Sequence, residues 1–482
     1  MTSMLTLSGL AMCLLAGACL AAIGSLGPWT VDGAALACLL FWAAATAVLL
    51  ARDRRRIWSP AVIFFSVFAV FHFGLALVVW SGGQTQDLPW FTDAAVPTAF
   101  IVVLWGGIGL LVGMLLPEVA RMTWEYLIHR RAGAEASLAS SPSSALPVEL
   151  PDETTQVVLL PRVGFALVVL SVLAWCALVL PPLGGRLWGV SYGEFLLATD
   201  EARLGWVYFW MALGFAMSVL PGSRATTWWS VAVFGLWAIV ALPIGLRGEV
   251  MFPAAAACMI TSHRLRRIGL IVTLVVMIAG LSLAALFKEV RKQGWSGVEW
   301  SAQTINPASA VKELGQSLRP TVEVIRWVET GDRLLGGGSY WAPMERGFLR
   351  LFPIKARDSG DDDERLLNVR VQQRVGPIGF SPVAEAYYNW GLVGVVLVHL
   401  VIGWIVAVLA VDPPSLLRQA VMSAILVPLL IHIRNSFAAV PAQVVVGLVV
   451  VFALVLAEQW LRARQTGSGR LPAEPADSSQ NR

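Results

Sequence analysis

Apolar residues in this chain gather in unbroken runs of about twenty, not in the alternating pattern of a half-buried strand. Wound as helix, a run of that length matches the ~30 Å hydrocarbon thickness of a bilayer. Twelve such stretches are readable, near residues 4–26, 33–51, 60–80, 96–116, 161–181, 204–221, 227–244, 250–262, 268–287, 387–410, 415–433 and 437–460, the eighth being the shortest. Lysines and arginines in the short loops set the orientation. RDRRR (52–56), RMTWEYLIHRR (121–131), PGSR (221–224), SHRLRR (262–267) and LRAR (461–464) then all face the cytoplasm, while GPWTVD, SGGQTQDLPWFTD and PPLGGRLWGVSYGEFLLATDEAR alternate to the other side. The pattern predicts an all-α polytopic membrane protein of about 12 transmembrane helices, with both termini cytoplasmic and a long, partly helical extracytoplasmic loop.

The same pattern divides the chain. Residues 1–116 carry helices one to four, and 117–160 form a cytoplasmic linker, partly disordered, with the small and polar stretch AGAEASLASSPSSALPVELPDETTQ (132–156). Residues 161–287 carry helices five to nine, 288–386 the large extracytoplasmic loop, 387–460 the last three helices, and 461–482 a disordered cytoplasmic tail. A loop longer than about 60 residues crosses whatever its arginine content, so the basic residues of 288–386 do not oppose this placement.

Composition agrees with a membrane solvent. Apolar residues make up 57% and charged residues 14% of the chain, against roughly 25% charged in soluble domains. The net charge of +4 is too slight to point to a nucleic-acid partner. The five cysteines fall inside apolar runs without metal-ligand spacing and read as packing residues.

Against this background the ionisable residues stand out. GLRGEVMFP (245–253) puts Arg247 and Glu249 at the tip of a hairpin between two apolar runs. A charge at the bilayer centre costs about 2.5 to 3.5 kcal/mol on insertion scales, so such a pair belongs to an interface or to a function. The predicted orientation sends this tip outside, together with the long loop and the turn IRNSF (433–437), which carries Arg434. Two arginines in Gly or Asn/Ser turns on one face fit joint binding of a phosphate or pyrophosphate, whose oxygens match the guanidinium fork; the alternative is that each snorkels to lipid headgroups. In GPIGFSPVAEAYYNWGLVGVVLVHL (376–400), Ser381 followed by Pro382 is a helix start. Glu385, Tyr388, Asn389 and Leu392 follow at spacings that share one face. Glu385 at the water boundary is either a proton acceptor or an acid favoured there by the helix dipole.

The loop segment RGFLRLFPIKAR (346–357), with Arg346, Arg350, Lys355 and Arg357, reads as an amphipathic helix on the membrane or as a solvated face. The run DDDE (361–364) reads as a cation site or as solvated acid. His432, two residues before Arg434, either orients a polar group or satisfies a backbone carbonyl, and the long loop contains no histidine.

The long late loop, the glycine-flanked GLRGEV turn, GFSPVAEAYYNWGLVG re-entering the membrane and the closing RNSF turn together resemble the oligosaccharide repeat-unit polymerases, the O-antigen polymerase or Wzy-type group, over about 240–440. The resemblance implies a GT-C-like membrane glycosyltransferase of the bacterial cytoplasmic membrane. Such an enzyme joins undecaprenyl-pyrophosphate-linked oligosaccharide repeats at the outer face, without cofactor or essential metal. It further implies that Arg247 and Arg434, helped by Arg346 and Arg350, stabilise the departing pyrophosphate. Glu385, with Glu249 as second choice, would accept the acceptor's proton, and Tyr388 and Asn389 would line the substrate site. Membrane lipid is an expected partner, as is a chain-length regulator. An O-antigen ligase shares the architecture but typically carries a loop histidine; a lipid-linked oligosaccharide flippase would need ionisable groups along its spans.

Overall fold

The computed structural model describes residues 29–136 apart from 54 and 55, 159–265 apart from 189 and 203, 268–293, 306–349, 363–410 and 416–468. The predicted first span (4–26), Arg350, Lys355, Arg357, most of the 132–156 linker and the end of the tail lie outside them. Every described element is helical: α1 Val31–Arg52, α2 Pro60–Trp80, α3 Val96–Ala136, α4 Leu159–Val179, α5 Tyr192–Thr199, α6 Gly205–Ser218, α7 Arg224–Ile244, α8 Arg247–Ile260, α9 Leu270–Gln293, α10 Pro307–Gly315, α11 Arg319–Glu329, α12 Gly338–Leu349, α13 Leu367–Arg374, α14 Pro382–Leu409, α15 Leu416–His432 and α16 Val440–Ser468, with single turns between some of them.

Seven of these helices are long and apolar enough to cross a bilayer: Val31–Arg52, Pro60–Trp80, Val96–Arg121, Leu159–Val179, Arg224–Ile244, Pro382–Leu409 and Phe437–Arg464. Ile271–Phe287 and Leu416–His432 are shorter apolar helices. The chain is thus a polytopic membrane protein, all-helical among the described residues, with fewer full-length spans there than the twelve read from hydropathy. The difference has a geometric cause. The predicted sixth and eighth spans fold as α6 and α8, each of 14 residues, and at 1.5 Å per residue such a helix covers only about 21 Å. Both are enclosed by other helices, α6 against α4 and α8, α8 against α15 and α2. Short helices at membrane depth are tolerated where protein surrounds them.

Glycine sets the tightest packing. A Cβ on Gly113 would lie 2.0 Å from the Leu400 carbonyl oxygen, and one on Gly403 2.1 Å from that of Leu110. Gly109 and Gly113 form a GxxxG face on which α3 lies against α14, backbone to backbone. Gly403→Ala is therefore expected to force the helices apart and to destabilise the fold by about 1–3 kcal/mol. A lower thermal midpoint of the detergent-solubilised protein checks this, and an unchanged midpoint would refute the tight packing.

The predicted outer loop does not float above the bundle. In α10 and α11, Ala310, Val311, Leu314, Val322, Val324 and Ile325 are buried, and α10 packs on the C-terminal half of α2. A Cβ on Gly315 would stand 2.5 Å from the Leu75 amide nitrogen, and one on Gly74 2.9 Å from the Val311 carbonyl. Lys312 anchors the same helix through the Gln84 carbonyl and Asp87. The loop thus delivers a helix deep enough to meet the hairpin that carries Arg247.

Candidate active site

The hairpin tip forms for local reasons. Helix α7 ends at Ile244, and Gly245 caps it in the left-handed region at φ 114°, a conformation that glycine adopts without a Cβ penalty. Leu246 follows, and α8 begins at Arg247 with no side-chain cap on its first amides. A cation at that position opposes the helix dipole, whereas an uncapped N-terminus attracts an anion. The Arg247 side chain is 4% exposed and its Nη1 lies 2.8 Å from Glu313 Oε2 of α10. Its Nε and Nη2 have no hydrogen-bond partner among the described residues. A buried guanidinium with two unused donors is costly to leave so, which makes the position a candidate for binding an anion.

Arg434 arrives from the other side. The turn after α15 is fixed by the Phe380 amide, which donates to the Arg434 carbonyl at 3.1 Å, and by His432 Nδ1, 3.0 Å from the Asn435 carbonyl. The latter is the backbone role that was one of the two readings of His432. The Arg434 guanidinium makes no ion pair among the described residues, and the residue is half-buried. Burial pulls it below its ordinary value, with Glu313, Glu249 and Tyr192 acting in the opposite direction and Arg247 repelling it. These five side chains therefore share one electrostatic site, assembled from α5, α8, α10 and the 433–437 turn. Glu249, in the first turn of α8, makes no ion pair among the described residues.

Glu385 is placed differently. It is 1% exposed, and both of its oxygens are engaged: the Ser339 hydroxyl donates to Oε1 at 2.7 Å and the Phe437 amide to Oε2 at 2.6 Å. Asn389 extends this network, its Nδ2 donating to Ser339 Oγ at 2.7 Å and its Oδ1 accepting from the Gly337 amide at 3.0 Å. The predicted common face ends at Trp390 and Gly391, where α14 breaks; Gly391 has φ 62° and ψ −152°, a region closed to residues with a Cβ. The break frees the Tyr388 and Asn389 carbonyls, which accept from the Leu335 and Gly336 amides at 3.0 Å each. Leu392 lies beyond the break and faces outward.

Tyr388 leaves this network for another. Its hydroxyl donates to Asp332 Oδ2 at 2.7 Å, where Arg374 Nη1 also donates at 2.6 Å. Against the penalty of burial, these two donors hold the Asp332 carboxyl below its usual range. Arg346 lies 3.5 Å from Asp363, which Arg365 also binds at 3.0 Å. Asp361 and Asp362 lie outside the described residues; the rest of the acidic run is ion-paired, Asp363 with Arg346 and Arg365 and Glu364 with Arg370, and among the described residues no group of three or more His, Cys, Asp or Glu could hold a metal ion.

Sequence reasoning named Arg247, Glu249 and Arg434; Glu313 and Tyr192, which the structure adds to their electrostatic surroundings, it did not name. The signal for Glu313 was available: Asn306–Pro307 is a helix start, and Glu313 lies three residues after Ala310, on the side of α10 that is buried. Nothing local identifies Tyr192.

Comparison with known proteins bears on this site as a whole. The family O-antigen polysaccharide polymerase Wzy matches residues 23–461. Protein CapE of Staphylococcus aureus is 26% identical over 265 residues, covering 54% of this chain and 58% of CapE. The chain thus spans little more than half the length of this curated relative. No solved structure matches. Because the family match runs through nearly the whole chain and includes every residue of the arginine site, this protein belongs to the O-antigen polysaccharide polymerase Wzy family.

Proposed function

We propose that the protein polymerises lipid-diphosphate-linked oligosaccharide repeats at the extracytoplasmic face of the cytoplasmic membrane, with the undecaprenyl chain in the bilayer and the diphosphate in the Arg247–Arg434 site. Family membership supports the polymerase reading. The outer-face placement rests on the distribution of Lys and Arg among the short loops.

The observation that carries the chemical assignment is the pair of guanidiniums. Arg247 keeps two unused donors at an uncapped helix N-terminus, and Arg434 has no ion pair among the described residues while feeling the same charges. One buried and one half-buried guanidinium in the same electrostatic surroundings match a diphosphate, whose four non-bridging oxygens share two negative charges. In the reaction the bond from the donor sugar's anomeric carbon to the diphosphate oxygen breaks and the acceptor hydroxyl forms the new glycosidic bond. Its proton passes to a carboxylate, and the lipid diphosphate leaves with the negative charge the arginines stabilise.

Glu249 is the better placed of the two predicted carboxylates. Supporting it are its place beside Arg434 and its lack of an ion pair among the described residues, whereas both Glu385 oxygens already accept hydrogen bonds. Glu385, Ser339 and Asn389 then position the Gly337–Tyr340 segment and the 434–437 turn around the substrate. Incubating the purified protein with lipid-diphosphate-linked repeats alone tests the reading. A ladder of products is expected; unchanged single repeats would refute it.

A further inference from the structure

The Arg247 fork is already held by a carboxylate of the protein itself. Glu313 comes from a helix fixed against α2 by the Gly74 and Gly315 contacts and by Lys312, and its side chain is 11% exposed. A buried ion pair between two such groups is a weak source of stability compared with apolar packing, so stability alone gives a poor reason for it. The site is also nearly neutral as it stands, two arginines against Glu313 and Glu249. Around it lies a bilayer whose phosphodiester headgroups, each with a single negative charge, vastly outnumber any diphosphate.

We propose that Glu313 is the specificity-determining carboxylate of this site. By occupying Arg247 it excludes the phosphodiesters of net-anionic lipids, which have no cation of their own, and it yields only to a diphosphate. A monoanion offers Arg247 no more charge than Glu313 does, and it must also displace a carboxylate tethered at 2.8 Å, so exchange gains nothing. A diphosphate spans both guanidiniums and reaches the unused Nε and Nη2 of Arg247, so its exchange gains contacts that Glu313 does not make. Discrimination of this kind comes from a repulsive and competing group as much as from an attractive one. The same logic predicts a cost: the apparent affinity for the diphosphate is reduced by the fraction of sites that Glu313 occupies. The inference rests on the reading that Arg247 and Arg434 take the donor diphosphate.

The test uses the full-length protein in nanodiscs of phosphatidylcholine, with inorganic pyrophosphate as the probe and phosphatidylglycerol titrated into the lipid. Wild type is expected to bind pyrophosphate with no change as phosphatidylglycerol rises. Glu313→Gln is expected to bind pyrophosphate about tenfold more tightly or better, and now to lose it as phosphatidylglycerol is added. Glu313→Asp keeps the charge but withdraws the carboxylate by one methylene; it should move in the same direction and serves if the Gln variant does not fold. In polymerisation both variants should lower KM for the lipid-linked donor in phosphatidylcholine with kcat unchanged, a split that a merely structural residue would not give.

Folded variants with wild-type affinity and no sensitivity to phosphatidylglycerol would overturn the proposal. So would competition by phosphatidylglycerol in the wild type. Failure of the underlying reading has a different signature: pyrophosphate bound equally well by Arg247→Ala, or by none of these proteins.

Discussion

Arg434→Ala is expected to stop polymer formation while single repeats remain attached to their lipid carrier. The guanidinium makes no ion pair among the described residues, and the backbone of its turn is held independently through the Phe380 amide and His432. The variant should therefore fold, and the loss should fall on the reaction. Removing one preorganised group that stabilises a developing negative charge costs about 10²–10³ in rate, or roughly 3–4 kcal/mol. Arg434→Lys keeps the charge but not the fork, and partial activity is expected. Arg247→Ala should be equally inactive but also less stable. It strips the partner from Glu313, and an uncompensated buried charge costs about 3–5 kcal/mol. The measurements are polymer length in membranes, retained lipid-linked repeat, and the thermal midpoint of each purified variant. Normal chain lengths in Arg434→Ala would remove the diphosphate assignment.

The second large effect separates the two carboxylates. Glu249→Gln is expected to lower the polymerisation rate by about 10²–10⁴, the range for losing a general base, and to erase the acidic limb of the pH–rate profile without altering the fold. Glu385→Gln should act otherwise. A glutamine can present its oxygen to the Phe437 amide and its NH₂ to Ser339 Oγ, so the fastening seen at 2.6 and 2.7 Å is largely kept, and the pH profile should be unmoved. Glu385→Ala removes both acceptors and leaves the Phe437 amide unsatisfied, a loss of about 1–3 kcal/mol that should loosen α12 against the 434–437 turn. An inactive Glu385→Gln beside an active Glu249→Gln would reverse the assignment.

Much of the architecture is legible in the sequence, because its physics is local. Whether twenty residues prefer lipid depends on their own side chains, and the runs at 33–51, 60–80, 96–116, 161–181, 227–244, 387–410 and 437–460 all correspond to long apolar helices. Start and stop signals are local too. Ser381 accepts from the Ala384 amide at 3.1 Å, as an N-cap followed by Pro382 should, and Gly245 ends α7 as the GLRGEV turn implied. The arginine-bearing turns were recognisable because a charge beside such runs needs a reason.

Other features depend on what lies across the bundle. Hydropathy counts α6 and α8 as spans because apolar content looks the same whether a helix meets lipid or other helices; only packing shows that they are short and enclosed. The even spacing of Glu385, Tyr388, Asn389 and Leu392 implied one face, but Gly391 breaks the helix, and each side chain then follows its own partner, Ser339, Asp332 or Gly337. The pairing of Arg247 with Glu313 joins positions far apart in the chain, through a loop helix seated on Gly74. The sequence by itself determined which long runs are apolar enough to cross a bilayer and which ionisable residues sit at the turns beside them, since transfer energies and capping are set residue by residue. Only the tertiary structure decided which charges meet and which carboxylate is already committed, since those depend on distances between segments that neither composition nor spacing encodes.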